Sequence, residues 1–154
     1  MRRLTSQSDR EPGDRVALMP TCLPAAERGR PLVAAVGESH YQPTLVDICG
    51  RNDQEAVLFE CEALLVPEFD NPRDENAIRV EIDRRTVAYL ARDDAIAYRP
   101  VIVALLEAGF AAVCRGLIVG RDGHDPETQT LNLGVCLDIA EAEICRATLF
   151  RAHR

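Results

Sequence analysis

Asp70-Asn71-Pro72-Arg73-Asp74-Glu75-Asn76-Ala77 runs straight into Ile78-Arg79-Val80-Glu81-Ile82, and Arg85-Thr86-Val87-Ala88-Tyr89-Leu90 follows after only Asp83-Arg84. The first part is turn chemistry. A residue before proline leaves the α region, and Asn and Asp side chains cap their own backbone. The second part alternates like a half-buried strand, and two residues are enough to join it to a second strand as a tight hairpin. A rigid polar turn at a strand entrance also presents amides and carboxylates to a ligand.

Working outward, Leu32-Val33-Ala34-Ala35-Val36 reads as a buried strand and residues 42–50 as a short helix stopped by Gly50. Residues 55–66 read as a long strand. After the hairpin, Asp93 is placed to cap a helix whose Ile96, Ile102, Leu105 and Leu106 fall near helical spacing, with Gly109 as its stop. Pro100 lacks a backbone donor inside that run, so a kink or a restart is expected there. Residues 110–119 and 130–139 read as strands around an acidic loop at 120–129. Strands at 32–36, 55–66, 77–82, 85–90, 110–119 and 130–139 with two helices imply a mostly β chain forming one small antiparallel barrel. The domain is expected at 31–140, between a flexible leader at 1–30 and a frayed helical tail at 141–154.

Composition narrows the chemistry. The 154 residues hold enough apolar side chains for one folded core, and all eighteen basic residues are arginine. Residues 1–30 carry six arginines against four acids, while residues 31–154 carry twelve against twenty-one, net −9. A broad basic face for nucleic acid is excluded, so any such contact is local and salt-sensitive. Six cysteines show no Cys-x-x-Cys spacing and read as buried small hydrophobes in a reducing compartment. No stretch reads as a signal peptide or membrane span, so a cytoplasmic location is expected.

Three blocks recur in a recognisable order. They are Val36-Gly37-Glu38-Ser39-His40-Tyr41, the Glu68 to Val80 turn and strand entrance, and Val87-Ala88-Tyr89-Leu90-Ala91-Arg92. In this order they resemble the HIRAN domain, a family that includes many small bacterial proteins. The resemblance spans roughly residues 32–139 and implies a modified β-barrel of the OB-like or SH3-like kind. It also implies a module that binds single-stranded DNA at its 3′-hydroxyl end, in DNA repair or replication-fork processing, with a helicase or nuclease as its protein partner.

The residues transfer position by position. Asp74 falls on the carboxylate that reads the terminal hydroxyl, and Asn71 on a phosphate-contacting amide. His40 and Tyr41 match an aromatic pair, with His40 in the base-stacking position. Tyr89 stands where the family has a histidine, and Arg92 at a basic position. Arg73 replaces a stacking aromatic, but its guanidinium plane can itself stack on a base. Ser39 replaces an arginine, and Ala88 a glycine.

A carboxylate accepts a hydrogen bond from a hydroxyl and repels a phosphate, so one Asp can tell a strand end from a continuing strand. No catalytic constellation, phosphate-binding glycine loop or cofactor motif is present. His124 in Asp122-Gly123-His124-Asp125 has no second ligand at metal spacing. The chain is therefore expected not to be an enzyme. The competing reading is a protein-interaction module of the same fold; a metal-dependent nuclease or phosphoesterase would need clustered acids and histidines.

Overall fold

The computed structural model describes residues 15–21, 32–50, 58–121 and 132–150. Among these residues, seven strands and three helices follow one another as β1 (Arg15–Leu18), β2 (Val33–Val36), α1 (Gln42–Cys49), β3 (Leu58–Pro67), β4 (Ile78–Ile82), β5 (Arg85–Leu90), α2 (Arg92–Glu107), β6 (Phe110–Arg121), β7 (Asn132–Asp138) and α3 (Ala142–Phe150). A 3-10 turn at Glu38–His40 precedes α1.

The strands form one sheet in the order β1-β6-β3-β4-β5-β2-β7, and β6 pairs with β7 to close six antiparallel strands into a barrel. The length of β6 makes closure possible. Along 112–119 it pairs with β3, and along 115–121 its other edge takes β7. Closure gives each of those six strands two hydrogen-bonded neighbours, which reduces the bare edge that an open sheet exposes.

Inward-facing Ile78, Val80, Ile82, Leu65, Ile118, Val135 and Leu137 fill the lumen, with α1 and α2 contributing Leu45, Ile48, Val101, Ile102 and Leu105. Between β4 and β5 the register slips by one, from Val80 opposite Ala88 to Glu81 opposite Thr86. Val87 is the extra residue, so Val87 and Ala88 can both be buried although they are consecutive.

The hairpin at Asp83-Arg84 forms as expected, as do the stops at Gly50 and Gly109. Gly109 has φ 87, a left-handed value that halts α2 at little steric cost.

Three expectations need correction. Part of the leader is structured: β1 pairs in parallel with residues 110–113 of β6, on the edge that β7 leaves uncovered, and Met19 is fully buried. Residues 1–14 and 22–31 lie outside the described residues. Asp93 does not cap α2. The helix starts at Arg92 behind Ala91 with no side-chain cap, and Asp93 and Asp94 sit in its first turn, where they favour the helix dipole.

At Pro100, of the kink or restart expected, a restart is absent: α2 continues through the proline to Glu107. The carbonyl it deprives belongs to Ile96; both residues are exposed, so water can satisfy it. The tail is not frayed over 142–150. It forms α3, which buries Cys145 and packs Leu149 and Phe150 against the core. The Tyr98 hydroxyl donates to the Ala140 carbonyl (2.7 Å) and fixes the chain just before α3. The acidic loop expected at 120–129 lies, from residue 122 on, outside the described residues, as do residues 55–57 and 130–131 of the expected strands.

Candidate functional site

Directly paired residues on neighbouring strands share one face of a sheet. Val36 pairs with Tyr89, Tyr89 with Arg79, and Arg79 with Val66, giving one transverse row across β2, β5, β4 and β3. None of the four is buried, so the row lies on the outer wall of the barrel. The turn at 68–77 overhangs one end of the row and the Gly37–Tyr41 turn stands at the other.

The long turn is closed by hydrogen bonds rather than by apolar packing. The Glu68 N–H donates to the Ala77 carbonyl (2.9 Å) and the Ala77 N–H to the Asp74 carbonyl (3.2 Å). Asn71 Oδ1 accepts from the N–H groups of Arg73 (2.9 Å) and Asp74 (3.1 Å), and Asp74 Oδ1 from the Asn76 N–H (2.9 Å). Arg99, reaching over from α2, donates to the Ala77 carbonyl (3.2 Å) and the Glu68 carbonyl (3.1 Å) and so clamps both ends.

Glu68 is the hub. Its Oε1 accepts from Asn71 Nδ2 (3.0 Å), and its Oε2 from the Tyr89 hydroxyl (3.1 Å), with Arg79 Nη1 at 3.5 Å. Arg79 Nε donates in turn to Glu81 (2.7 Å), whose carboxylate helps hold that guanidinium charged by raising its already high pKa. Burial first, then the Glu68 carboxylate and the Tyr41 hydroxyl, push the Tyr89 phenol up to about 12. Tyr89 is thus a neutral donor at physiological pH, between Tyr41 and Glu68.

The 3-10 turn that carries His40 and Tyr41 starts at Gly37, whose φ of 80 is a left-handed value that a Cβ would strain. His40 is exposed and meets Tyr41 edge-on, with ring centroids 6.4 Å apart. Gln42 anchors this corner to the barrel: its amide accepts from the Leu133 N–H (2.9 Å) and donates to the Leu133 carbonyl (2.8 Å), like one more rung of the sheet.

Beneath the long turn lies a groove of about 530 Å³, lined by Glu68, Phe69, Asp70, Asn71, Arg73 and Arg79 among others. Of the seven residues expected to form a site, Asn71 and Arg73 line it. Tyr41 and Tyr89 connect to it through Glu68, with His40 at their outer edge. Asp74 shares the turn and spends one carboxylate oxygen on it. Arg92 is exposed at the start of α2, and no hydrogen bond or ion pair among the described residues ties it to the others.

The sequence reading missed Glu68, Phe69, Arg79 and Arg99. The first three stand inside the block that carried the resemblance, whereas Arg99 had no local signal. Among the described residues no group of three His, Cys, Asp or Glu side chains could hold a metal ion. Cys61 is pushed up to about 12, chiefly by burial, which makes it a poor nucleophile. No helix among the described residues is long and apolar enough to cross a membrane. The chain matches no family model, no curated protein and no solved structure.

Proposed function

We propose that the chain is a single-stranded-DNA-binding module that reads 3′-hydroxyl ends, serving DNA repair or replication-fork processing as its likeness to the HIRAN domain implies. One observation carries this reading. Three blocks far apart in sequence, represented by Tyr41, Asn71 and Tyr89, meet on one outer wall of the barrel through Glu68. OB-like barrels use such a wall, with rings for bases and cations for phosphates.

In this reading Asp74 takes the terminal hydroxyl. One of its oxygens already holds the Asn76 N–H, and a carboxylate has acceptor capacity for more. Asn71 uses its oxygen and one amide hydrogen to build the turn, which leaves it a single donor for phosphate. Arg73 and Arg92 supply charge, and His40 stacks. With residues 31–154 at net −9, binding is weak and best at low salt.

The test is a low-salt anisotropy titration of a labelled thymidine decamer ending in a 3′-hydroxyl or a 3′-phosphate. The hydroxyl end should bind about tenfold better, because the phosphate sets negative charge against Asp74. Asp74→Asn keeps an acceptor for the Asn76 N–H while removing the charge, and should abolish the preference. Arg92→Ala should weaken both ends alike and lower the salt slope by about 0.7. Equal binding of the two ends by the wild type sinks the end-reading role. No binding of either would favour the protein-interaction module, with the acidic surface docking a basic partner.

A further inference from the structure

Arg73 occupies the position where the resemblance calls for a stacking ring, yet the groove is not without one. Phe69 lines it and is 64 % exposed. What distinguishes this exposed ring is what lies behind it. The Arg99 guanidinium lies 5.2 Å from the Phe69 ring centroid, a cation–π contact. That guanidinium is itself fixed, since its two terminal nitrogens donate to the Glu68 and Ala77 carbonyls. The backbone entering Phe69 is fixed as well, by the Glu68 N–H bond to Ala77. The ring is therefore held from behind on a planar cation and left uncovered in front, with Arg73 and Arg79 lining the same groove. Its volume, about 530 Å³, lies within the range of roughly 300–1,000 Å³ that small organic ligands occupy.

We propose that Phe69, seated on Arg99, is a base-stacking platform of this groove, receiving one base of a single-stranded nucleic acid while Arg73 faces its phosphate. The proposal rests on the single-strand reading above and adds a residue to it. A preorganised ring loses little rotamer freedom on binding, and base–aromatic stacking tolerates any sequence because every base has a π-face. Phe69 thus supplies the ring that position 73 lacks.

The experiment compares the thymidine decamer with a decamer of abasic sites at low salt, using the full chain. Phe69→Ala should weaken the thymidine decamer by roughly 5- to 150-fold, the range that alanine substitution gives for one stacked base, and change abasic binding less than twofold. Phe69→Leu, which keeps an apolar side chain but no ring, should resemble Phe69→Ala. Phe69→Trp should retain affinity. It also gives a chain without tryptophan a single reporter, whose emission should be quenched by thymidine but not by abasic DNA. Urea midpoints of the variants should match the wild type, since the side chain is mostly exposed.

Unchanged thymidine binding by Phe69→Ala overturns the proposal. Equal losses on both decamers also overturn it, by assigning Phe69 to the shape of the turn. Wild-type protein that binds neither decamer removes the single-strand reading and this proposal together, whereas wild type that binds both equally well removes only the stacking.

Discussion

Residues 68–77 lead into β4 and Asp83-Arg84 lead out of it, and the two turns hold their shapes by different means. The entrance turn is long and is held by side chains: Asn71 and Asp74 cap its backbone, and Arg99 ties its two ends. The exit turn is as short as a hairpin allows. Both its residues have positive φ, 54 and 63, in the absence of any glycine. Arg85 bridges back to Asp83 and across to Asp47 on α1, but these exposed pairs contribute little. Glu68 and Asn71 stabilise the first turn and also line the groove, so function and local stability cannot be changed separately at those two residues. The second turn carries strain and no visible task.

Removing Arg99 should break this contrast most severely. Arg99→Ala deletes two charge-assisted bonds to backbone carbonyls and the support beneath Phe69. Bonds from charged donors contribute about 1.5–3 kcal/mol each where desolvated. Arg99 is half-buried and its two bonds act together, so a total near 2–3 kcal/mol is expected in urea denaturation. Arg99→Lys should recover only part of this, because a compact, strongly hydrated ammonium lacks the rigid fork that reaches both carbonyls from beside the ring. Unaltered stability in Arg99→Ala would show that the turn holds itself.

How much of this was legible in the sequence also differs between the two turns. The exit hairpin was readable because everything that forms it lies within a few residues: two alternating strands and a two-residue gap. The capping by Asn71 and Asp74 was readable for the same reason. Arg99 was not, since it looks like any arginine on an amphipathic helix until the fold carries α2 over the turn. Glu68 has the same history: its role as hub depends on Tyr89, twenty-one residues on, and on a register set by a bulge at Val87.

β1 was read as leader because four residues of Arg-Val-Ala-Leu carry no periodic signal. Its strand character comes from the uncovered edge of β6, ninety-five residues later in the chain. Asp93 was misassigned as a cap because helix ends are set to within a residue or two by side-chain identity, and the chain geometry at Ala91 decided the matter.

The exit turn allows the opposite experiment, one in which stability rises. Left-handed backbone costs a residue with a Cβ about 1–2 kcal/mol, less for Asp than for Arg. Arg84→Gly relieves this at φ 63 but adds freedom to the unfolded chain. A net gain of about 0.5–1 kcal/mol is expected. Asp83→Asn in the same background gives Asn-Gly, the favoured pair for a two-residue hairpin of this geometry. Both changes should leave oligonucleotide binding as it was, in contrast to any change in the entrance turn. A loss of stability in Arg84→Gly would mean that the arginine side chain holds the turn and that the positive φ costs little.

The smallest effect concerns the bond that joins the two sides of the wall. The Tyr89 phenol is pushed up to about 12 from its ordinary value of 10.0 by burial, by Glu68 and by Tyr41. A folded-state value raised above the unfolded one means that the unfolded chain loses its proton first. The contribution of Tyr89 is therefore complete below pH 10 and is lost as pH rises from 10 toward 12. Cys61 is raised to about 12 from 9.0, so it adds its own loss, beginning one unit lower. Wild type and Tyr89→Phe should accordingly show parallel declines in urea midpoint between pH 9 and 10. Above pH 10 the wild type should fall more steeply, because only it must keep a phenol protonated against a carboxylate. At neutral pH, Tyr89→Phe should cost only about 0.5 kcal/mol, the low end of the net worth of one hydrogen bond, because the phenol is half-exposed. If the two proteins instead decline in parallel to pH 12, the Tyr89–Glu68 bond does not persist in solution. The side-chain link from Asn71 through Glu68 to Tyr89 would then be missing, and only the strand pairing of Tyr89 with Arg79 would hold the two sides of the wall together.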